Sequence, residues 1–277
     1  MAYINARSFV YDGISSDSFD LCMGWLSDNN EQDLQTGLEV ELRRGEMNMV
    51  RSRPNHYGAI YNDTLSFEFV IFPKRKLSFT FSESAEINKW LRKSNTYKRL
   101  RFIDDESEFI NFQAVCTNII DIVRNGLNAK QLTFVCDSPF GYMEEIKKVL
   151  TTTGSSPKDY KIYNLSDNGI YYPRVKIAVL TNYNGTIKVQ NVGDDKTLTV
   201  KFDQITPYNG EKAIILDGEK NLITDGSGKV IPAYKIGWDN TDNIYWVRLL
   251  ENTNTIRVTG ASTITLYMTF PRKVGVI

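Results

Sequence analysis

The sequence predicts a mainly β protein of two domains, and three observations carry that expectation. Apolar residues fall in short runs, many alternating with polar ones, and each run is closed by Gly, Asp, Asn or Pro. A helical spacing stands out in one place, where Ile87, Trp90 and Leu91 sit at i, i+3 and i+4. The texture then changes after Tyr142, and the small polar run 151–157 reads as a loop or linker. We therefore place the domains at 1–142 and 143–277, with the linker at about 143–157.

Taken in order, Phe9-Val10-Tyr11 is a short aromatic strand that runs into a turn. Residues 38–42 alternate apolar and polar, as a half-buried strand does. Residues 65–72 begin the same way and end in a continuous apolar block. The charged connection Pro73-Lys74-Arg75-Lys76 leads to 77–81, which alternates again. The helix is expected at 84–94, with Ser82 or Ser84 as its cap, Glu83 and Glu86 in its first turn, and Lys89, Arg92 and Lys93 toward its end. Strands are expected at 100–103, 109–116, 119–124 and 131–136, with an acidic turn at 104–108 and a turn at Asn125-Gly126. Residues 143–150 read as a short helix or an extended link. Beyond the linker, strands at 174–179, 186–189, 198–202, 212–216, 244–249, 255–258 and 263–268 have almost no helix among them. That pattern reads as a β-sandwich.

Of the 277 residues, 42% are hydrophobic, which permits a sizeable core. The 33 basic and 33 acidic side chains cancel, which argues against nucleic acid as the main partner. Residues 1–142 hold 16 basic and 19 acidic side chains, and 143–277 hold 17 and 14, so the domains lean to opposite signs. Cys22, Cys116 and Cys136 are odd in number and widely spaced, and they read as buried apolar residues made in a reducing compartment. Neither a signal peptide nor an apolar run of the ~20 residues a membrane helix needs is expected.

Tests for chemistry come out negative. His56 is the sole histidine and cannot build a multi-His zinc site, and there is no GxSxG elbow to support a serine triad. The carboxylates Asp104, Asp105, Glu106, Glu108, Asp194, Asp195, Asp217 and Glu219 crowd into polar turns. A glycosidase would instead face two of them across a cleft. Asp225-Gly226-Ser227-Gly228 and Asp239-Asn240-Thr241-Asp242-Asn243 lack the spacing of a calcium loop, and no phosphate-cradling glycine motif occurs. No catalytic, metal or cofactor-binding residue is assigned, and the protein is expected not to be an enzyme.

Two clusters point to contacts instead. Arg43, Arg44, Arg51, Arg53, His56 and Tyr57 combine Arg with Tyr, an interface signature, on a polar segment suited to an inter-subunit arm. Trp238, Tyr245 and Trp246 are candidate surface aromatics of the second domain. The adjacent Tyr245 and Trp246 would point to opposite faces of a strand.

Several strings occur in an order that resembles the distal tail (Dit) family of long-tailed phages. They are Tyr11-Asp12-Gly13-Ile14-Ser15-Ser16-Asp17-Ser18-Phe19-Asp20-Leu21, then Tyr61-Asn62-Asp63-Thr64-Leu65-Ser66-Phe67, then Trp90-Leu91, Phe112-Gln113-Ala114-Val115, and Leu132-Thr133-Phe134-Val135-Cys136-Asp137-Ser138-Pro139-Phe140. In the second domain Tyr172-Pro173-Arg174-Val175-Lys176-Ile177, Leu216-Asp217-Gly218-Glu219-Lys220 and Asn254-Thr255-Ile256-Arg257-Val258-Thr259-Gly260 are similar to the same family. The likeness spans essentially the whole chain, although Asp20 stands where a Gly often follows the Phe. The resemblance implies a ring-forming N-terminal β-sandwich or split barrel with one helix, and a galectin-like C-terminal β-sandwich. It implies a structural virion protein, made in the bacterial host cytoplasm. Such a protein forms a homo-hexameric ring between the tail tube protein and the tail-tip or receptor-binding proteins. It brings no catalytic residue, no cofactor and no membrane segment. The rival readings are a carbohydrate-binding module for host cell-wall glycans in 143–277 and a wall-degrading enzyme.

Overall fold

The computed structural model describes residues 6–25, 40–44, 56–61, 63–93, 95–103, 110–124, 126–154, 156–238 and 245–273; the side chains at 40–44, 56–60 and 124 lie outside the described residues. The chain forms two units, Met1–Met143 with Arg272–Ile277, and Glu144–Pro271. It leaves the first unit after Met143 and returns at Arg272, so the second is inserted into the first.

The first unit opens with β1 (Ser8–Tyr11) and β2 (Ile14–Ser15). Asp12 and Gly13 take φ of 51° and 79°, so two residues suffice to bring Ile14 opposite Tyr11. Paired positive φ gives the turn whose twist matches antiparallel strands, and Asp-Gly adopts it with little strain. A 3-10 turn, Ser16–Phe19, follows and closes on Asp20 at φ 55°. The left-handed conformation expected of Gly at that position is thus taken by Asp20.

The remaining elements are β3 (Leu21–Trp25), β4 (Val40–Arg44), β5 (His56–Tyr61), β6 (Ser66–Pro73), α1 (Phe81–Leu91), β7 (Lys98–Ile103), β8 (Ile110–Arg124), β9 (Leu127–Cys136) and β10 (Gly141–Met143). The main sheet runs β2-β1-β7-β8-β9-β6-β3, with β10 and the late strand β20 (Pro271–Arg272) off that path. Alternation supplies its apolar face. Along β6, Phe67, Phe69 and Ile71 are buried while Ser66 and Glu68 are exposed. Phe69 is stacked on Phe134 at 5.5 Å and meets Phe9, Trp25 and Phe102 edge-on. Helix α1 packs against this face through Ile87, Trp90 and Leu91, as their spacing predicts.

The second unit holds β11 (Ile146–Thr152), β12 (Lys158–Asn164), β13 (Arg174–Leu180), β14 (Thr186–Asn191), β15 (Lys196–Lys201), β16 (Glu211–Asp217), β17 (Leu222–Asp225), β18 (Asn252–Thr259) and β19 (Ser262–Met268). They form a five-stranded sheet, β11-β19-β13-β16-β17, and a four-stranded sheet, β12-β18-β14-β15. Each buries alternate residues. Val175, Ile177 and Val179 do so in the first sheet, and Ile187, Val189, Ile256 and Val258 in the second. Between β18 and β19, Gly260 sits at φ 102°, and an added Cβ would lie 2.7 Å from Ile187 Cδ1 and 3.0 Å from the Thr186 carbonyl. No other residue fits there. Buried polar groups are matched. Lys212 Nζ donates to the Tyr183 and Phe202 carbonyls (both 3.1 Å) and to Asn184 Oδ1 (2.6 Å), which uses all three of its protons.

The mainly β class and the single helix stand, with corrections. The described strands of the first unit make one large open sheet and a two-stranded ribbon, so there is no split barrel. The helix begins three residues early. Thr80 is its cap, accepting from Glu83 N while Glu83 Oε2 accepts from Thr80 N, and this box outcompetes Ser82 and Ser84. Residues 77–79 are consequently not strand. The expected linker is occupied by β11 up to Thr152, leaving 153–157 as the connection to β12 within the second unit. The expected strands 109–116 and 119–124 merge into β8 through a register shift between Cys116 and Asn118. Of the expected strand 244–249, Leu249 alone among the described residues bridges a partner, Tyr171.

Packing should dominate helix stability. Trp90→Ala is expected to cost about 3–5 kcal/mol and Thr80→Ala about 1 kcal/mol, read from urea midpoints at constant slope. Equal losses would mean that the cap, not the Trp90 face, holds α1.

Candidate functional site

The strands β4 and β5 pair with each other and with no other described strand. Their register sets Val40 opposite Tyr61, Leu42 opposite Ala59 and Arg44 opposite His56. It thereby gathers Arg43, Arg44, His56 and Tyr57 at one end of a free-standing ribbon. Arg51 and Arg53 lie outside the described residues. At the other end the Tyr61 ring meets Phe140 edge-on at 4.9 Å and anchors the ribbon to the turn before β10.

A second feature of the same unit escaped the sequence reading. Leu77, Phe81 and Val123 are 70%, 93% and 74% exposed, far beyond what large apolar side chains usually show. Asn128 N donates to the Leu77 carbonyl (2.8 Å), and Val123 lies opposite Asn128 in the β8–β9 register. Beside them Lys130, itself buried, pairs with Asp121 at 2.5 Å and lies 5.7 Å over the Phe79 ring. Alternation at 77–81 had suggested a half-buried strand. The signal that could have corrected it is Thr80-x-x-Glu83, which starts a helix at Phe81 and turns that ring outward.

The aromatic candidates of the second unit are bound up with its own structure. Trp238 is buried, not superficial: its Nε1 donates to the Thr199 carbonyl (2.7 Å), and its ring meets Trp246 edge-on at 5.8 Å. Tyr245 and Trp246 are half-buried and diverge as expected. The Tyr245 hydroxyl donates to Asp194 Oδ2 (3.1 Å). Arg248 grips the same carboxylate with two bonds of 2.8 and 2.7 Å. Those bonds hold the Asp194 carboxyl below its ordinary range, against the opposing effect of burial.

Other acids are also engaged in turns. Asp225 Oδ1 accepts from Ser227 N, Ser227 Oγ and Lys229 N (2.9, 2.6 and 3.0 Å), and Asp217 Oδ1 accepts from Lys220 N (3.1 Å). The acidic turn 104–108 and the run 239–243 lie outside the described residues. Burial pushes the Cys116 thiol up to about 11 and Cys136 to about 12, which suits packing and not nucleophilic attack. Cys22 is only half-buried. Among the described residues no group of three His, Cys, Asp or Glu could hold a metal, and no helix is long and apolar enough to cross a membrane.

Two protein-family models match the chain. One, described as a phage tail protein N-terminal domain, matches residues 4–138; the other, described as a phage tail C-terminal domain, matches residues 140–268. A search of curated proteins found no match. Among solved structures, the crystal structure of the SPP1 Dit (gp 19.1) protein is similar, with a TM-score of 0.63 and 15% identity. The likeness covers 95% of this chain and 98% of that one. That protein is described as a paradigm of the hub adsorption apparatus in phages that infect Gram-positive bacteria. At this identity the likeness speaks for the fold.

The Asp194 clamp predicts a pH signature. A carboxyl depressed in the folded state stabilises fully above its unfolded value near 4 and loses that contribution as pH falls through the folded value. Asp194→Asn should therefore cost about 1–3 kcal/mol at pH 7, and the gap to wild type should close in acid. A gap that persists undiminished at low pH would show that charge is not what the clamp uses.

Proposed function

Because the chain belongs to the phage tail protein family through both its N-terminal and C-terminal domains, we propose that it is the distal tail component of a phage tail. Six copies form a ring that continues the tail tube on one side and holds the tail-tip or receptor-binding proteins on the other. Ring contacts lie on the first unit, and the second is a galectin-like sandwich. The protein is made in the host cytoplasm, ends in the virion and catalyses nothing.

The observation that carries this reading is the ribbon of β4 and β5, which no other described strand completes. A closed ring requires two different surfaces on each copy, one that reaches and one that receives. The ribbon, with Arg43, Arg44, His56 and Tyr57, suits the reaching part. The exposed trio Leu77, Phe81 and Val123 suits the receiving part, since large apolar side chains in water favour association. The overall likeness to a hub protein adds support at the level of fold. Against enzymatic action stand the acids spent on turns and on Arg248.

The full chain, alone and with its tail tube protein, should give six-fold rings by electron microscopy and a matching mass by sedimentation. Replacing Arg43, Arg44, Arg51 and Arg53 with Glu, or Phe81 with Asp, should raise the concentration needed for assembly by about tenfold or more without changing thermal stability. A chain that stays monomeric with its tube partner present would end the proposal.

A further inference from the structure

On the outer face of the five-stranded sheet, near the end of β13, lies an open groove of about 510 Å³, within the range of small-ligand sites. Its shape comes from register. Lys176 lies opposite Thr265 and Ala178 opposite Thr263 on β19, while on β16 Ala178 faces Ala213 and Leu180 faces Glu211. The small pair at Ala178 and Ala213 leaves a hollow between taller rows. On one side stand Lys176 and Thr265; on the other stand Glu211 and the 74% exposed Leu180. Lys176 Nζ reaches Glu211 Oε1 at 2.6 Å. The half-buried hydroxyls of Thr263 and Thr265 have no hydrogen-bond partner among the described residues.

We propose that this groove binds a neutral saccharide unit, independently of any ring assembly. The lining supplies both kinds of polar group that a sugar's hydroxyls require. Lys176 donates, Glu211 accepts, and the two threonines do either. The ion pair uses one of three Lys176 protons and one of the acceptor sites of Glu211, so both keep capacity for a ligand. Ala178 and the Leu180 side chain offer apolar contact for a pyranose C–H face. Competing ligand classes fit less well. Glu211 disfavours a polyanion. The backbone of β13 is paired on both sides, with β16 and β19, so no free edge awaits a peptide strand. The hydroxyls and the ion pair would be left unsatisfied by a wholly apolar ligand.

Saturation-transfer NMR and calorimetry on the full chain, with glucose, galactose, N-acetylglucosamine and rhamnose as probes, test this. At least one sugar should bind. Glu211→Gln and Thr265→Val should each weaken it by about tenfold or more at unchanged melting temperature. Ala178→Leu, which fills the hollow, should abolish it, and Trp246→Phe should leave it intact. If Ala178→Leu does not fold, the two polar variants decide. The proposal falls if none of the four sugars binds at tens of millimolar, or if binding survives Glu211→Gln and Thr265→Val unchanged. It falls equally if binding is lost with Trp246→Phe instead.

Discussion

Trp90 is held between two rings from distant parts of the first unit. Phe9 of β1 stacks on one side at 5.4 Å, and Phe19 of the 3-10 turn stacks on the other at 4.8 Å. Its indole N–H donates to the Tyr11 carbonyl (3.1 Å), so the one polar atom of a large apolar side chain is not stranded. This single residue ties the helix to the first strand and to the turn that follows it. Phe9 in turn meets Phe69 and Phe134 edge-on, so the hold on α1 passes straight into the centre of the sheet. The broad apolar face of a large sheet needs such a cover, and Ile87 and Leu91 extend it beside Trp90. The Asp-Gly turn, the left-handed Asp20 and the Thr80 box all serve to bring these rings to one place.

The second unit solves a different problem. Its sandwich admits buried polar groups, and each is matched within hydrogen-bonding distance. Asn191 is fully buried and donates to Asn254 Oδ1 and to the Arg248 carbonyl, both at 2.8 Å. Asn254 passes the chain on to Leu250, donating to its carbonyl and accepting from its N–H. Arg248 then closes on Asp194. A linked set of this kind fixes the non-strand segment around Val247 without a ladder of backbone bonds. It also explains why Tyr245 and Trp246 cannot serve as a loose stacking platform: both sit within that fixed segment, Tyr245 bonded to Asp194 and Trp246 packed on Trp238.

Much of the fold was legible because period-two alternation is a direct consequence of one-sided burial. β6, β13, β18 and β19 all announce themselves this way. What failed to announce itself has physical reasons. β12 buries little beyond Ile162 and Asn164, so its sequence, Lys-Asp-Tyr-Lys-Ile-Tyr-Asn, carries too few apolar residues to read as a strand. Residues 77–81 alternate but end in a cap, and the cap decides. For the candidate sites, Arg43, Arg44, His56 and Tyr57 could be named from composition, and their gathering at one ribbon end follows from register. The groove could not be seen in advance. It depends on which small residues from three strands stand side by side, a fact that pairing alone supplies.

The insertion of one unit within the other bears on how the chain is made. A ribosome releases residues in order, and domains generally fold as units while synthesis proceeds. Here the stretch from Met1 to Met143 emerges first, yet Arg272 joins it only after the whole of Glu144–Pro271 has emerged. The first unit to appear is thus the last to be complete. Nascent chains carrying a finished sandwich and an unfinished sheet exist on every ribosome making this protein. If the surfaces that join copies belong to the first unit, neighbouring chains on one message do not meet in their final form until each has been released.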